Sequence, residues 1–170
     1  GGSRGIGRSI VLKLAAEGAN VAFTYVSNSG EAEETVRLGK ESAPDASVTA
    51  HQLDVRYSSE VERVVDEVIE TLGTVHAVVN NAALLRNNAA ALMSDDEWDE
   101  VIAANLSGPF YVIRAFLMHF LSERNGRIIN ISSLAQDGAS GQINYASSKA
   151  GLIGLTKSIA REYGAKGITC

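Results

Sequence analysis

The chain has 170 residues, 45% of them hydrophobic and 21% charged, with a formal net charge of −5. That balance fits one soluble globular domain with a sizeable core and gives no electrostatic footprint for nucleic acid. A single cysteine, Cys170, excludes an internal disulfide framework and fits a reducing, cytoplasmic compartment; His51, His76 and His119 are scattered singly, so no zinc-type spacing exists and no metal is expected.

Gly1-x-x-x-Gly5-x-Gly7 opens the chain, and Ile6, Ile10, Val11 and Leu14 then recur at helical spacing, closed by Gly18. Val21 to Val26 reads as a short buried strand, followed by a polar turn from Ser27 to Gly30. A helix is predicted over Glu31 to Ser42, stopped by Pro44, and a strand over Val48 to Val55. Ser59-x-x-Glu62 has the form of a capping box opening a helix that shares Val61, Val64, Val65, Val68, Ile69 and Leu72 on one face and ends at Gly73. Val75 to Val79 is the next strand, with Asn80-Asn81 at its carboxyl end. Ser94-x-x-Glu97 is a second capping box; its helix runs to about Ser122 and is kinked or split at Gly108-Pro109. Arg127 to Ile131 is a strand ending in Ser132-Ser133, and a long helix covers Asn144 to Tyr163. The most apolar helical stretch, Phe110 to Leu121, carries Arg114 and His119 and is too short to span a bilayer, so no membrane partner is expected. The chain opens on glycines with no strand before them and closes on a strand-like Ile168-Thr169-Cys170, which reads as an internal portion of a longer protein.

Alternating strands and helices are the signature of a parallel sheet covered by helices, in which ligands sit at the carboxyl ends of the strands. The glycine-rich opening suits a dinucleotide pyrophosphate, since glycines allow close backbone approach and a helix start offers free N–H groups. Arg4 can pair with a phosphate on the adenosine ribose or stay solvated. No carboxylate closes the first strand, where Thr24, Tyr25 and Ser27 stand instead, and this favours NADP over NAD. Asp54 can accept from an adenine amino group or cap the following helix.

Tyr145 and Lys149 lie one helical turn apart, on one face. A phenol ordinarily titrates near pH ~10, and a cation held close by favours its ionised form. Ser132 and Ser133, a dozen residues upstream, can hydrogen-bond a substrate carbonyl, and Asn105 precedes the expected kink, where an unsatisfied helical carbonyl can hold a water.

Taken together, Gly1-Gly-Ser-Arg-Gly-Ile-Gly7, Asp54-Val55, Asn80-Asn81-Ala82, Asn105 in Asn-Leu-Ser-Gly, Ile131-Ser132-Ser133 and Tyr145-x-x-x-Lys149 resemble the short-chain dehydrogenase/reductase family over the whole chain. Within it, Gly126-Arg-Ile-Ile-Asn-Ile-Ser-Ser and Asn144-Tyr-Ala-Ser-Ser-Lys-Ala-Gly-Leu are most similar to 3-oxoacyl-acyl-carrier-protein reductases; acetoacetyl-CoA reductases and polyketide-type ketoreductases share the pattern. The resemblance implies NADPH-dependent reduction of a 3-oxoacyl thioester, with other secondary alcohols or ketones, or a silent dinucleotide binder, as alternatives. It implies one NAD(P)-binding domain over residues 1–170, a Rossmann-type doubly wound parallel sheet in a three-layer α/β/α fold without the family's first strand and last third, and a homotetramer built on the helices around Phe110–Leu121 and Ala150–Tyr163. By motif, Asn105, Ser133, Tyr145 and Lys149 take the catalytic positions; Gly1, Ser3, Arg4, Gly5, Ile6, Gly7, Asp54, Val55, Asn81, Ala82, Tyr145 and Lys149 would hold NADP(H). The resemblance gives Lys149 a second role on the nicotinamide ribose and Asn105 a water that relays protons. Two departures stand out. Ala83 replaces the family's glycine, and the Ser133–Tyr145 interval is one residue short, so spacing points to Ser132 while the strand-end motif points to Ser133.

Overall fold

The computed structural model describes residues 1–170. In chain order it runs α1 (Gly5–Ala16), β1 (Val21–Tyr25), α2 (Ser29–Ser42), β2 (Val48–Gln52), α3 (Ser58–Leu72), β3 (Ala77–Asn80), α4 (Asp95–Ile102), α5 (Gly108–Glu123), β4 (Gly126–Asn130), α6 (Ile143–Tyr163) and β5 (Ile168–Thr169). Every strand pair is parallel: Val21 lies opposite Val48, Ala77 opposite Arg127, and Gly126 opposite Ile168.

The strands form two ladders, β1–β2 and β3–β4–β5. Between the facing edges of β1 and β3 runs a cleft of about 480 Å³, walled by Ala22, Thr24, Ala77 and Val79 and floored by Val11 and Leu14 of α1. This explains why β1, expected to be buried along its length, fully buries only Phe23. One tie across the gap comes from Asn81, whose Nδ2 donates to the Gly1 carbonyl at 2.9 Å.

Alternation along the strands sends side chains to two cores. Phe23 and Val48 join Val11 and Ala15 of α1 and Ala32 of α2. On the other face Ala22 and Leu53 meet Val61, Val64, Val65 and Val68 of α3, Ile113, Phe116 and Phe120 of α5, and Ile128 and Ile168. The α1 stripe is thus narrower than its apolar spacing suggests: Ile6 is 69% exposed.

Local signals set most boundaries. Asn28 Oδ1 accepts the Glu31 N–H at 3.1 Å and starts α2. Gly73, at φ +73°, stops α3 in a conformation open to glycine. The capping box at Ser94 forms, with Glu97 reaching back to the Ser94 N–H at 2.8 Å. The one expected at Ser59 does not. There α3 starts two residues earlier, Tyr57 occupies the cap without a side-chain bond, and Glu62 is drawn to Ser58 Oγ (3.3 Å) and to Arg114 of α5 (3.1 Å).

The break expected at Gly108-Pro109 is a π turn over Ala103–Ser107, in which the Gly108 N–H reaches back five residues to the Ala103 carbonyl. Pro109 has no N–H for the Asn105 carbonyl, its ordinary partner four residues back, and this makes the wider turn cheap there. The helical run Asp95–Glu123 is therefore continuous over the span read from sequence, and, contrary to the expectation drawn from Phe110–Leu121 alone, by length and composition it is long and apolar enough to cross a membrane. Its apolar side chains Val101, Ile113, Phe116 and Phe120 are buried in the fold. That burial accounts for only part of its composition, since Phe110 and Met118 of the same run are exposed.

Candidate functional site

The parallel ladders bring the carboxyl ends of β1, β2, β3 and β4 to one side, and the residues singled out from sequence fall at those ends or on the helices facing them. The Gly2 N–H donates to the Thr24 carbonyl at 2.9 Å, seating the glycine loop at the end of β1. The Ser3 carbonyl accepts Arg8 Nε (3.1 Å) and Thr35 Oγ1 (3.0 Å), which pins the loop to α2. Arg8 also pairs with Glu31, neutralising the first carboxylate of α2.

A methyl group added at Gly7 would overlap the Gly1 carbonyl oxygen and lie 2.7 Å from Asn81 Nδ2, so only glycine fits. Arg4 caps α1 in extended conformation without a side-chain bond, and the first turn of α1 holds no acidic residue. Its N–H groups are thus free to meet an anion. The Arg4 guanidinium is exposed, and Ile6 projects outward beside it. Glycines where the backbone must approach, open donors and a free cation together fit a dinucleotide diphosphate.

Asp54 sits just past the end of β2, which stops at Gln52 rather than Val55. Its Oδ1 accepts the Arg56 N–H at 3.0 Å and turns the chain, while the Arg56 guanidinium holds Oδ1 at 3.0 Å and Oδ2 at 2.6 Å. Those hydrogen bonds from Arg56 keep the carboxyl below its usual range despite partial burial. Val55 is half-buried against Gly108 at the head of α5. Ala82 packs against Gly1, and Ala83 follows without a positive φ, so the methyl at that position costs no backbone strain.

On α6, Lys149 is 3% exposed and its Nζ lies 5.7 Å from the centroid of the half-buried Tyr145 ring. The ammonium donates to the Ile131 carbonyl at 2.7 Å. Burial pushes its pKa down from the ordinary lysine value.

The two candidate serines differ in how their hydroxyls are used. Ser132 donates to Gln136 Oε1 at 2.8 Å and lies 3.3 Å from the Lys149 carbonyl. Ser133 accepts the Ala135 N–H at 3.2 Å as cap of the short 3₁₀ turn Leu134–Asp137, which leaves its own proton uncommitted.

Asn105, fully buried in the π turn, accepts the Leu84 N–H at 2.7 Å and donates to the Leu84 carbonyl (2.9 Å) and to Ser148 Oγ (3.3 Å). Its side chain is spent on holding the loop after β3.

Two residues of this neighbourhood escape sequence reasoning. Asn144 and Ser148 are both fully buried and bond the Tyr145 backbone, at N–H and C=O respectively. The available signal was Asn144 itself, a small polar residue in the first turn of a helix. Beside that turn a cleft of about 740 Å³ opens between Asn88–Ala90 and Gln136–Gly141, with Ile143 and Ala146 on its wall.

A family profile described as short chain dehydrogenase matches residues 1–170. The 3-oxoacyl-acyl-carrier-protein reductase FabG of Staphylococcus aureus (strain Mu50) is 45% identical over 170 residues, covering 99% of this chain and 68% of the relative. FabG of Escherichia coli (strain K12) is 41% identical, over 99% and 67%. A crystal structure of a candidate short-chain alcohol dehydrogenase from Sinorhizobium meliloti 1021 superposes with a TM-score of 0.93 at 32% identity, covering 99% of this chain and 66% of that one. The chain therefore spans about two thirds of the length of the proteins it matches.

Proposed function

Since this chain belongs to the short chain dehydrogenase family, we propose that the protein is an NADPH-dependent ketoreductase reducing 3-oxoacyl thioesters, on acyl-carrier protein or CoA, to 3-hydroxyacyl thioesters. The observation that carries the chemistry is the Tyr145 ring with the buried Lys149 ammonium 5.7 Å from its centroid, at the carboxyl end of one parallel ladder while a glycine cradle sits at that of the other. The substrate class rests on the relatives named as 3-oxoacyl-acyl-carrier-protein reductases.

A nicotinamide cofactor, when bound, would supply the hydride for the carbonyl carbon. Tyr145 gives its hydroxyl proton to the carbonyl oxygen, so that C=O becomes CH–OH. The Lys149 charge stabilises the phenolate left behind until solvent restores the proton. Ser133 offers its uncommitted O–H to the same oxygen, and Asn105 holds the π turn in place against the loop after β3. Ser3, Arg4, Gly5, Ile6, Gly7, Asn81 and Ala82 would hold the diphosphate side of the cofactor, and Asp54 and Val55 its adenine.

NADPH is favoured because Arg4 is free while Glu31 is engaged by Arg8. We read residues 1–170 as one nucleotide-binding domain. The outward side chains of α5, Phe110 (41% exposed) and Met118 (75%), suit assembly into a homotetramer, and the lone thiol suits a cytoplasmic setting.

The test is NADPH oxidation with an acetoacetyl thioester, set against NADH and against simple ketones. Tyr145→Phe is expected to lower turnover by roughly 10²–10⁴-fold while NADPH binding survives. Unchanged turnover overturns the mechanism; faster turnover of simple ketones overturns the substrate class.

A further inference from the structure

Tyr145 is the third residue of α6, so its N–H is one of the donors a helix start leaves without an intrahelical partner. Gln142, the residue at the cap, makes no side-chain bond to it. Asn144 takes over: its Oδ1 accepts the Tyr145 N–H at 2.8 Å. The other end of the same amide reaches away from the helix. Asn144 Nδ2 donates to the Arg86 carbonyl at 3.0 Å and to the Glu97 carbonyl at 2.9 Å. Arg86 belongs to the loop after β3 and Glu97 to the first turn of α4. With 0% exposure, Asn144 satisfies both N–H donors and its carbonyl inside the protein.

Ser148 completes the clamp from the other side. Its hydroxyl donates to the Tyr145 carbonyl at 2.7 Å and accepts from Asn105, which in turn holds Leu84. The backbone of Tyr145 is thus gripped at N–H and C=O by two buried side chains, both tied to the segment Leu84–Arg86. That segment continues to Asn88, whose N–H donates to the Gly141 carbonyl at 3.0 Å on the opposite wall of the 740 Å³ cleft.

We infer that Asn144 is a positioning residue: it sets Tyr145 against the Lys149 ammonium by tethering the first turn of α6 to Arg86 and Glu97. The inference rests on Tyr145 being the proton donor. A shift of about 1 Å in a reacting group can cost on the order of 10²-fold in rate, and no other side chain bonds both the Tyr145 turn and the start of α4.

The experiment compares Asn144→Ala, which loses every bond, with Asn144→Asp, which keeps an acceptor for the Tyr145 N–H but loses the paired donors. Turnover of an acetoacetyl thioester is normalised to NADPH-binding sites counted by fluorescence, so that unfolded protein does not contribute. Both variants are expected to lose roughly 10–100-fold in kcat per site, with the KM for NADPH within about threefold of wild type. Amide exchange in the wild-type protein supplies a reading that needs neither variant: the Tyr145 amide should exchange far more slowly than that of Ile143. An Asn144→Asp kcat per site within about twofold of wild type overturns the inference, and so does a Tyr145 amide as labile as that of Ile143. If the wild-type protein turns over no thioester, the proposed activity is what fails, and the exchange measurement still decides the tether.

Discussion

Replacing Lys149 by Met separates what the ammonium does for the site from what it does to the fold. Met keeps the length of the stem in a place where the residue is 3% exposed, and removes the charge. The ammonium has one protein acceptor, the Ile131 carbonyl, for its three protons, and desolvation is the cause of its depressed pKa. A lysine held below its unfolded value of 10.5 binds fewer protons folded than unfolded between the two values. Stability therefore rises with pH through that window, and the penalty is complete below the folded pKa. Each unit of depression corresponds to about 1.4 kcal/mol, which is also the steepest slope per pH unit that one group can give. The bond lost to Ile131 adds a roughly constant offset of about 1–3 kcal/mol against the variant. The assay is urea unfolding of both proteins in steps from about pH 7 to 10.5, taking the difference in unfolding free energy so that tyrosines and Cys170 cancel. Wild type should gain on the variant as pH rises. A difference that is flat, or that falls, refutes the claim that burial strains this charge.

Two further perturbations are decided by geometry. Gly7→Ala drives a methyl into the Gly1 carbonyl, and at about 1–3 kcal/mol for overpacking should weaken NADPH binding by roughly 5- to 150-fold in a fluorescence titration. Gly154→Ala, where nothing lies within 4 Å of the added carbon, serves as a control. Arg56→Met leaves Asp54 without the cation that holds its carboxyl down. The variant should lose about 1–2 kcal/mol at neutral pH, and the loss should vanish as pH falls through the folded Asp54 pKa, because that contribution exists only while the carboxylate is ionised. A loss that persists undiminished below the folded Asp54 pKa would argue against this pair.

Element order was legible because hydrophobic spacing switches between a period of two and a period near four, and α3 shows this most cleanly through Val61, Val64, Val65 and Val68. Where a side chain reaches outside its own segment, local reading failed. β2 was drawn too long because Asp54 turns the chain by capturing Arg56, and the cap at Ser59 was lost to Arg114, more than fifty residues away. The candidate site shows the same division. Its glycines, Tyr145 and Lys149 announce themselves by spacing. Asn144 stays silent because its partners are backbone carbonyls 47 and 58 positions distant, which carry no residue identity at all. For Ser132 and Ser133, spacing and the strand-end motif point to different residues, and the two differ in whether the hydroxyl proton is already committed.

One extra residue in the turn at Ala103–Ser107 offsets the two halves of the Asp95–Glu123 rod by about 100° of rotation. The upstream half can then address α6 while the downstream half addresses α3, with Asn105 at the changeover pointing inward. Shortening that turn by a single residue would restore regular winding, rotate one of the two faces off its neighbour, and carry the Asn105 amide away from Leu84. The length of this helix is therefore fixed by phase rather than by span, and insertions or deletions within it should be far less tolerated than substitutions.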